Sequence, residues 1–310
     1  MKRNNTHSLS VTRRQLKRTK QLWLFVLPAV IMVTIFNYIP MYGVVMAFQN
    51  FTPSRGFLGS PWVGLEHFVR FFNSYTSSST IRNTVLLSLE SLLWTFPIPI
   101  IFALLLNQVS HPRFKRAVQT VTYMPYFISI VVLVSIVNLF LSPYRGFYGA
   151  IVSLFGLQDP IDPLTNSAFC RTVYLGSTIW QTTGYQSIIY IAALAGVDPT
   201  LHEAAKIDGA SRWQRVLHID LPTLMPTISI MFIMACGSIM NVGFEKAYLL
   251  QNKLNLNVAE VLQTYVYKVG LINAQYSFSA AINLFSTVIN IILLLVMNQI
   301  VKKLSDTSLL

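Results

Sequence analysis

The chain has 310 residues, 53% of them hydrophobic and only 11% charged, with a net charge of +12. That composition excludes an ordinary soluble domain, because it supplies several apolar runs near the roughly 20 residues needed to cross a hydrocarbon core of about 30 Å. The positive charge has the sign of a nucleic-acid binder but not its distribution. Lys2, Arg3, Arg13, Arg14, Lys17, Arg18 and Lys20 all precede the first apolar run with no acidic residue among them, as the positive-inside rule expects of a cytoplasmic tail. Membrane lipid is therefore the expected environment, and no nucleic-acid partner is expected.

The expected fold class is all-α: a polytopic membrane protein with six transmembrane helices. A basic cytoplasmic N-terminal tail occupies 1–21, a six-span domain 22–301 and a cytoplasmic C-terminal tail 302–310. Spans are predicted at 22–48, 84–108, 118–141, 173–196, 224–250 and 278–301. The first run follows a basic stretch like a secretory signal, but it is too long and no small-residue cleavage site closes it, so it reads as a retained helix. Pro28, Pro40, Pro97 and Pro99 predict kinks, since each removes a backbone donor.

Between spans, 61–72 places Trp62, Leu65, Phe68, Val69 and Phe72 at helical spacing and predicts a short interfacial helix. The stretch 142–171, with Pro143, Pro160 and Pro163, reads as an irregular outer loop. With the N-terminus inside, 15 Lys and Arg fall on the cytoplasmic side and 8 on the other, across longer loops. Both termini are thus expected in the cytoplasm. Cys170, expected in a loop, and Cys236, expected in a span, suggest neither a disulfide framework nor a zinc site.

The loop before the fifth span is unusually polar, carrying Asp198, Glu203, Lys206, Asp208, Arg212, Arg215 and Asp220. Asp198 suits an N-cap and Pro199 the first helical position, so a helix should start there. It should run through Glu203, Ala204 and Ala205, where two alanines admit a close neighbour. Gly209 permits a turn that a Cβ would resist. Ser211 with Gln214 has capping-box spacing and should begin a second helix, which Pro222 should separate from the next span. The product is a cytoplasmic helix–turn–helix exposing Glu203, Lys206 and Asp208.

Glu203-Ala204-Ala205, Gly209, Ile219, Leu221 and Pro222 resemble the EAA loop of permease subunits in binding-protein-dependent ABC importers. Ile207-Asp208-Gly209-Ala210-Ser211 is similar to the variant found in carbohydrate importers, and 62–72 looks like a loop of sugar-type permeases. The stretch 38–48, followed by Gly59-Ser60-Pro61-Trp62, resembles the subgroup associated with oligosaccharides and polysaccharide fragments. The resemblance implies a permease of the bacterial cell membrane. It also implies as partners a second permease subunit, two ATP-binding subunits and an extracytoplasmic solute-binding protein. Glu203, Ala204, Ala205, Asp208 and Gly209 would form the coupling helix that docks on the ATPase. No Gly-x-x-x-x-Gly-Lys-Ser/Thr occurs in the chain, so it lacks that route to cradling nucleotide phosphates. No cofactor is expected on this chain, ATP being held by the partner.

Candidates for the solute path are Glu90, Thr178, Gln181, Tyr185 and Asn241. An ionisable group within a span is costly and functional by default, though the stronger reading of Glu90 is a hydrogen bond to Ser or Thr on a neighbouring helix. Thr178, Gln181 and Tyr185 recur at helical spacing, and amides and aromatic faces suit sugars. Ordinary helix packing is the competing reading for each. Glu245 and Lys246 are expected to pair or to face water. No catalytic constellation and no metal-ligand spacing is apparent, so no enzyme activity is expected. A transporter driven by an ion gradient is the alternative, with Glu90 as its one hint.

Overall fold

The computed structural model describes residues 20–156 and 161–305. Most of the basic tail over 1–21, Pro160, and the end of the tail over 302–310 lie outside them. Among the described residues the elements are helical, apart from an isolated antiparallel bridge between Gln49 and Trp62.

The first span begins with α1, Lys20–Val33, and continues through a π turn and a 3-10 turn to Phe48. Pro28 lies inside α1 and the π turn precedes Pro40, so the irregularity falls where backbone donors are missing. Trp23 to Met41 expose their apolar side chains, and only the final turn packs on the last helix. Next comes α2, Glu66–Phe72, shorter than the helix expected over 61–72. Gly64 at φ +60° breaks the helical path ahead of it. Trp62, Leu65, Val69 and Phe72 are exposed, as an interfacial face requires, whereas Phe71 is buried.

The second span joins α3, Tyr75–Thr95, to α4, Pro97–Asn107, and starts nine residues before the expected 84. Thr80 and Thr84 turn their hydroxyls back to carbonyls four residues earlier, at 2.7 Å each, which lets polar residues extend the helix. The stretch expected as the third span is broken. Its first part, α5, is Pro112–Tyr123 and its second, α6, is Ile130–Leu141, and the two pieces of the pair are bent by 101°. Pro125 interrupts the first, and Ser129 caps the second through the Val132 amide.

The expected loop over 142–171 contains helix α7, Phe147–Leu154, and the first turn of α8, Ser167–Leu194. Cys170 is therefore helical and buried rather than in a loop, and both cysteines are free. At 28 residues α8 has the length of a span, but its many Ser, Thr and Gln leave it out of the strongly apolar helices.

The polar loop supplies α9, Pro199–Ile207, and α10, Arg212–Arg215, which runs through a π turn at Val216–Asp220 into α11, Leu221–Gly237. Pro222 does not break this path. It follows closely on the π turn at Val216–Asp220, so the irregularity falls where the proline's missing N–H leaves a carbonyl without its donor. The fifth span thus covers Arg212–Gly237 and does not reach 250. Instead the chain turns, with the Met240 amide donating to Asn290 Oδ1 at 2.9 Å, and starts the short α12, Phe244–Leu250. After α13, Leu262–Tyr267, the described residues end in α14, Tyr276–Ser305. Among the described residues four helices are long and apolar enough to cross a membrane, or five if the bent pair is one span.

Three buried clusters tie these helices together. Ile100 and Ala103 of α4 pack with Tyr190 and Leu194 of α8 and Leu224 of α11. Leu87, Tyr174, Val242 and Ala247 join α3, α8 and the start of α12. Phe71, Leu262, Phe278 and Ile282 join α2, α13 and α14. In lipid the burial of apolar surface gives little drive for helix association, so close packing and hydrogen bonds carry it. Gly184 is one such contact: a Cβ there would strike the Thr122 carbonyl at the end of α5.

Candidate functional site

The loop folds locally as its residues dictate. Asp198 Oδ1 accepts from the Thr200 amide at 2.9 Å, and those hydrogen bonds to Thr200 hold its carboxyl below the ordinary carboxylate range. Gly209 has φ +80°, and the Ala210 amide reaches back to the Ala205 carbonyl at 2.8 Å, closing α9 with the left-handed cap that glycine favours. Ser211 and Gln214 complete a reciprocal capping box, at 2.7 and 3.3 Å. Glu203, Ala204, Lys206, Asp208 and Gly209 are exposed and Ala205 is half-buried. Beside them Ile207 is 87% exposed, and Leu201 and Trp213 also face outward. A ridge of small, apolar and charged groups therefore stands clear of the helices.

Its inner side is anchored by two residues that spacing did not single out. Asp220, fully buried, lies 3.2 Å from His202 Nε2 of α9. Its other oxygen accepts from Gln108 Nε2 at 2.8 Å, and Asn107 Nδ2 stands 3.5 Å away. One carboxylate thus joins α9 to the end of the second span and the start of the fifth. A buried carboxylate needs such donors to be tolerated. The local signal was an acid directly before the apolar run of α11; its partners are distant in sequence. A cavity of about 410 Å³ opens beside this junction, lined by His202, Glu203, Lys206, Arg212 and Arg215 among others.

The solute-path candidates do not converge. Glu90 meets Arg171 of α8 at 3.3 Å, so its partner is an arginine rather than a hydroxyl. Thr178 Oγ1 accepts from Lys246 Nζ at 2.8 Å, while Gln181 Nε2 donates to the Ile128 carbonyl at the bend of the third span, at 3.1 Å. Tyr185 stacks on Tyr126 with ring centroids 3.7 Å apart, and it lines a cavity of about 700 Å³ with Phe96, Tyr190, Met231, Met234 and Ser238. Asn241 lies beyond the end of the fifth span, accepting from Gln263 Nε2 at 2.9 Å. Of the five, Tyr185 alone lines that cavity. Among the described residues Lys246 pairs with no carboxylate, and it does not face water: it is 4% exposed, whereas its neighbour Glu245 is exposed.

Comparison with known proteins fits this architecture. Residues 95–306 match the family described as "Binding-protein-dependent transport system inner membrane component". The chain is 41% identical over 292 residues to the polygalacturonan/rhamnogalacturonan transport system permease protein YteP of Bacillus subtilis (strain 168), covering 94% of this chain and 91% of that one. A crystal structure of a bacterial ABC transporter involved in import of the acidic polysaccharide alginate contains a chain that superposes with TM-score 0.87 at 38% identity, covering 94% of this chain and 98% of that chain. A second structure, of a bacterial alginate ABC transporter in complex with an alginate pentasaccharide-bound periplasmic protein, gives TM-score 0.87 at 37% identity, covering 96% and 99%. The chain belongs to the family of binding-protein-dependent transport system inner membrane components: it is a multi-pass membrane permease of an ABC importer and not an enzyme.

Proposed function

We propose that this chain forms half of the translocation path of an ATP-driven carbohydrate importer, with an oligosaccharide as its solute. In this reading it crosses the membrane six times with both termini in the cytoplasm, α8 being the more polar crossing. The distribution of Lys and Arg, 15 against 8, supports that orientation. A second permease subunit completes the path, an extracytoplasmic protein delivers the solute, and two ATP-binding subunits supply the energy. This chain holds no cofactor of its own.

The observation that carries the reading is the loop over 203–209. Glu203, Ala204, Ala205, Asp208 and Gly209 lie on a ridge whose outer side is uncovered and whose inner side is tied through Asp220 to the ends of two spans. Such a ridge passes a push from a partner directly into the membrane helices. The sugar reading is supported by the solutes named for YteP and for the alginate transporter, and by the aromatic cavity at Tyr185.

Affinity purification of the tagged chain from native membranes in mild detergent tests this. A P-loop ATPase and a second permease are expected in stoichiometric amounts. A chain that purifies alone and still catalyses uptake driven by an ion gradient overturns the reading.

A further inference from the structure

The cavity of about 410 Å³ beside the Asp220 junction has a lining whose charge the coupling role leaves unused. Lys206 of α9 and Arg212 and Arg215 of α10 all line it, and Glu203, which is exposed, is the one acid among its described lining residues. Among the described residues the ion pairs are Arg171–Glu90, His202–Asp220 and Lys268–Glu260, so none of these three cations is paired with a carboxylate. Arg215 is half-buried, and its Nε is a buried donor with no hydrogen-bond partner. A buried donor on a charged group is costly to leave unpaired, so it marks a place for an acceptor that the chain itself does not supply.

Position narrows that acceptor. Asn107 and Gln108 close α4 and Leu194 closes α8, and all three line the cavity. It therefore sits where two long helices of the membrane domain emerge, on the inner side of the ridge. Leu194, Val197 and Pro199 give it an apolar wall beside the cations, as a lipid headgroup and the ester region behind it require. Basic pockets between spans on the cytoplasmic side are where the phosphates of anionic lipids gather. A docked ATPase would instead meet the outer side of the ridge, where Ile207 and Trp213 stand exposed.

We propose that this cavity holds the phosphate of an anionic phospholipid, with Lys206, Arg212 and Arg215 as its donors. The chemistry recognised is a phosphate oxyanion of net negative charge; a zwitterionic headgroup brings its own cation and leaves the three unneutralised. Lys206 lies on α9 and the two arginines on α10, so one bound phosphate bridges both arms of the helix–turn–helix. Because α9 buries none of its residues, the lipid is a second tie, besides Asp220, between the loop and the membrane. This goes beyond the importer reading and uses only its cytoplasmic placement of the loop.

The test is native mass spectrometry of the purified full chain in mild detergent, titrated separately with phosphatidylglycerol, phosphatidylcholine and inorganic phosphate. At about fivefold per cation near an anionic charge, the wild type should hold phosphatidylglycerol on the order of 100-fold more tightly than phosphatidylcholine. By the same measure Arg212→Gln with Arg215→Gln should weaken phosphatidylglycerol about 25-fold and leave phosphatidylcholine unchanged. Lys115→Gln with Arg116→Gln removes two cations of α5 that do not line the cavity, and should leave phosphatidylglycerol at its wild-type affinity. Adding phosphatidylglycerol to the wild type, which needs no variant, should also slow hydrogen exchange across α9. Equal affinity of the wild type for the two lipids overturns the inference, as does an equal loss in both double variants, which would mean surface charge alone. Displacement of the lipid by inorganic phosphate at equal concentration makes the ligand a soluble phosphate and overturns the lipid assignment. Unchanged lipid binding with loss of the co-purifying ATPase in Arg212→Gln with Arg215→Gln gives the cations to the ATPase and overturns it too. The importer reading is judged separately, by the purification above.

Discussion

Replacing Asp220 by Asn isolates what the buried carboxylate contributes. The amide has the same shape and can still accept from Gln108, but it presents an NH2 where the charge met His202, 3.2 Å away. A hydrogen bond to a charged group is worth about 1.5–3 kcal/mol net. At about 1.4 kcal/mol per factor of ten, α9 should open about 10- to 100-fold more often. Little else holds it, because α9 buries none of its residues. Hydrogen exchange read by mass spectrometry should therefore show faster exchange at amides 203–209 in Asp220→Asn, with α14 as the unchanged reference. Unaltered exchange in α9 would refute the claim that Asp220 ties the loop to the spans. Equal acceleration in α14 would mean that the carboxylate serves the whole fold.

Three further outcomes follow from the same geometry. Ser211→Ala removes the capping box and should cost the start of α10 about 1 kcal/mol, read as increased exchange at residues 212–215 with the spans unaffected. Gly184→Val drives a side chain into the Thr122 carbonyl where α5 crosses α8, and should sharply reduce the yield of folded protein in detergent, while Gly176→Ala, which meets nothing within 4 Å, should leave it unchanged. Arg171→Met leaves Glu90 inside the membrane domain without its partner and should lower thermal stability more than the paired change Arg171→Met with Glu90→Gln, because an unpaired charge costs more than a missing pair.

What was legible in the sequence was local. Asp198, Pro199, Gly209, Ser211 and Gln214 act within a few residues of themselves, and the loop has the caps and the turn that they predict. Apolar runs placed the first and last spans nearly to their ends. Contacts between distant residues were not legible. The fifth span stops at Gly237 instead of continuing, and the Met240 amide just beyond is met by Asn290 of the last helix. The third span bends by 101° at a break whose Ile128 carbonyl is met by Gln181. Asp220 reads as one more loop acid until the fold brings Gln108 and His202 to it. Lys246 likewise reads as a residue that pairs or faces water until α8 covers it with Tyr174 and Thr178. In each case a polar group deep in the fold is explained by a partner that spacing alone does not reveal.

The central claim is that the loop over 203–209 passes the work of ATP hydrolysis to the spans. Its most direct measurement is ATP-driven uptake by the reconstituted complex with Glu203→Lys, alongside the melting temperature of the variant chain. Glu203 is exposed, so Glu203→Lys should leave the melting temperature unchanged while uptake falls to background. Full uptake by Glu203→Lys would contradict the account.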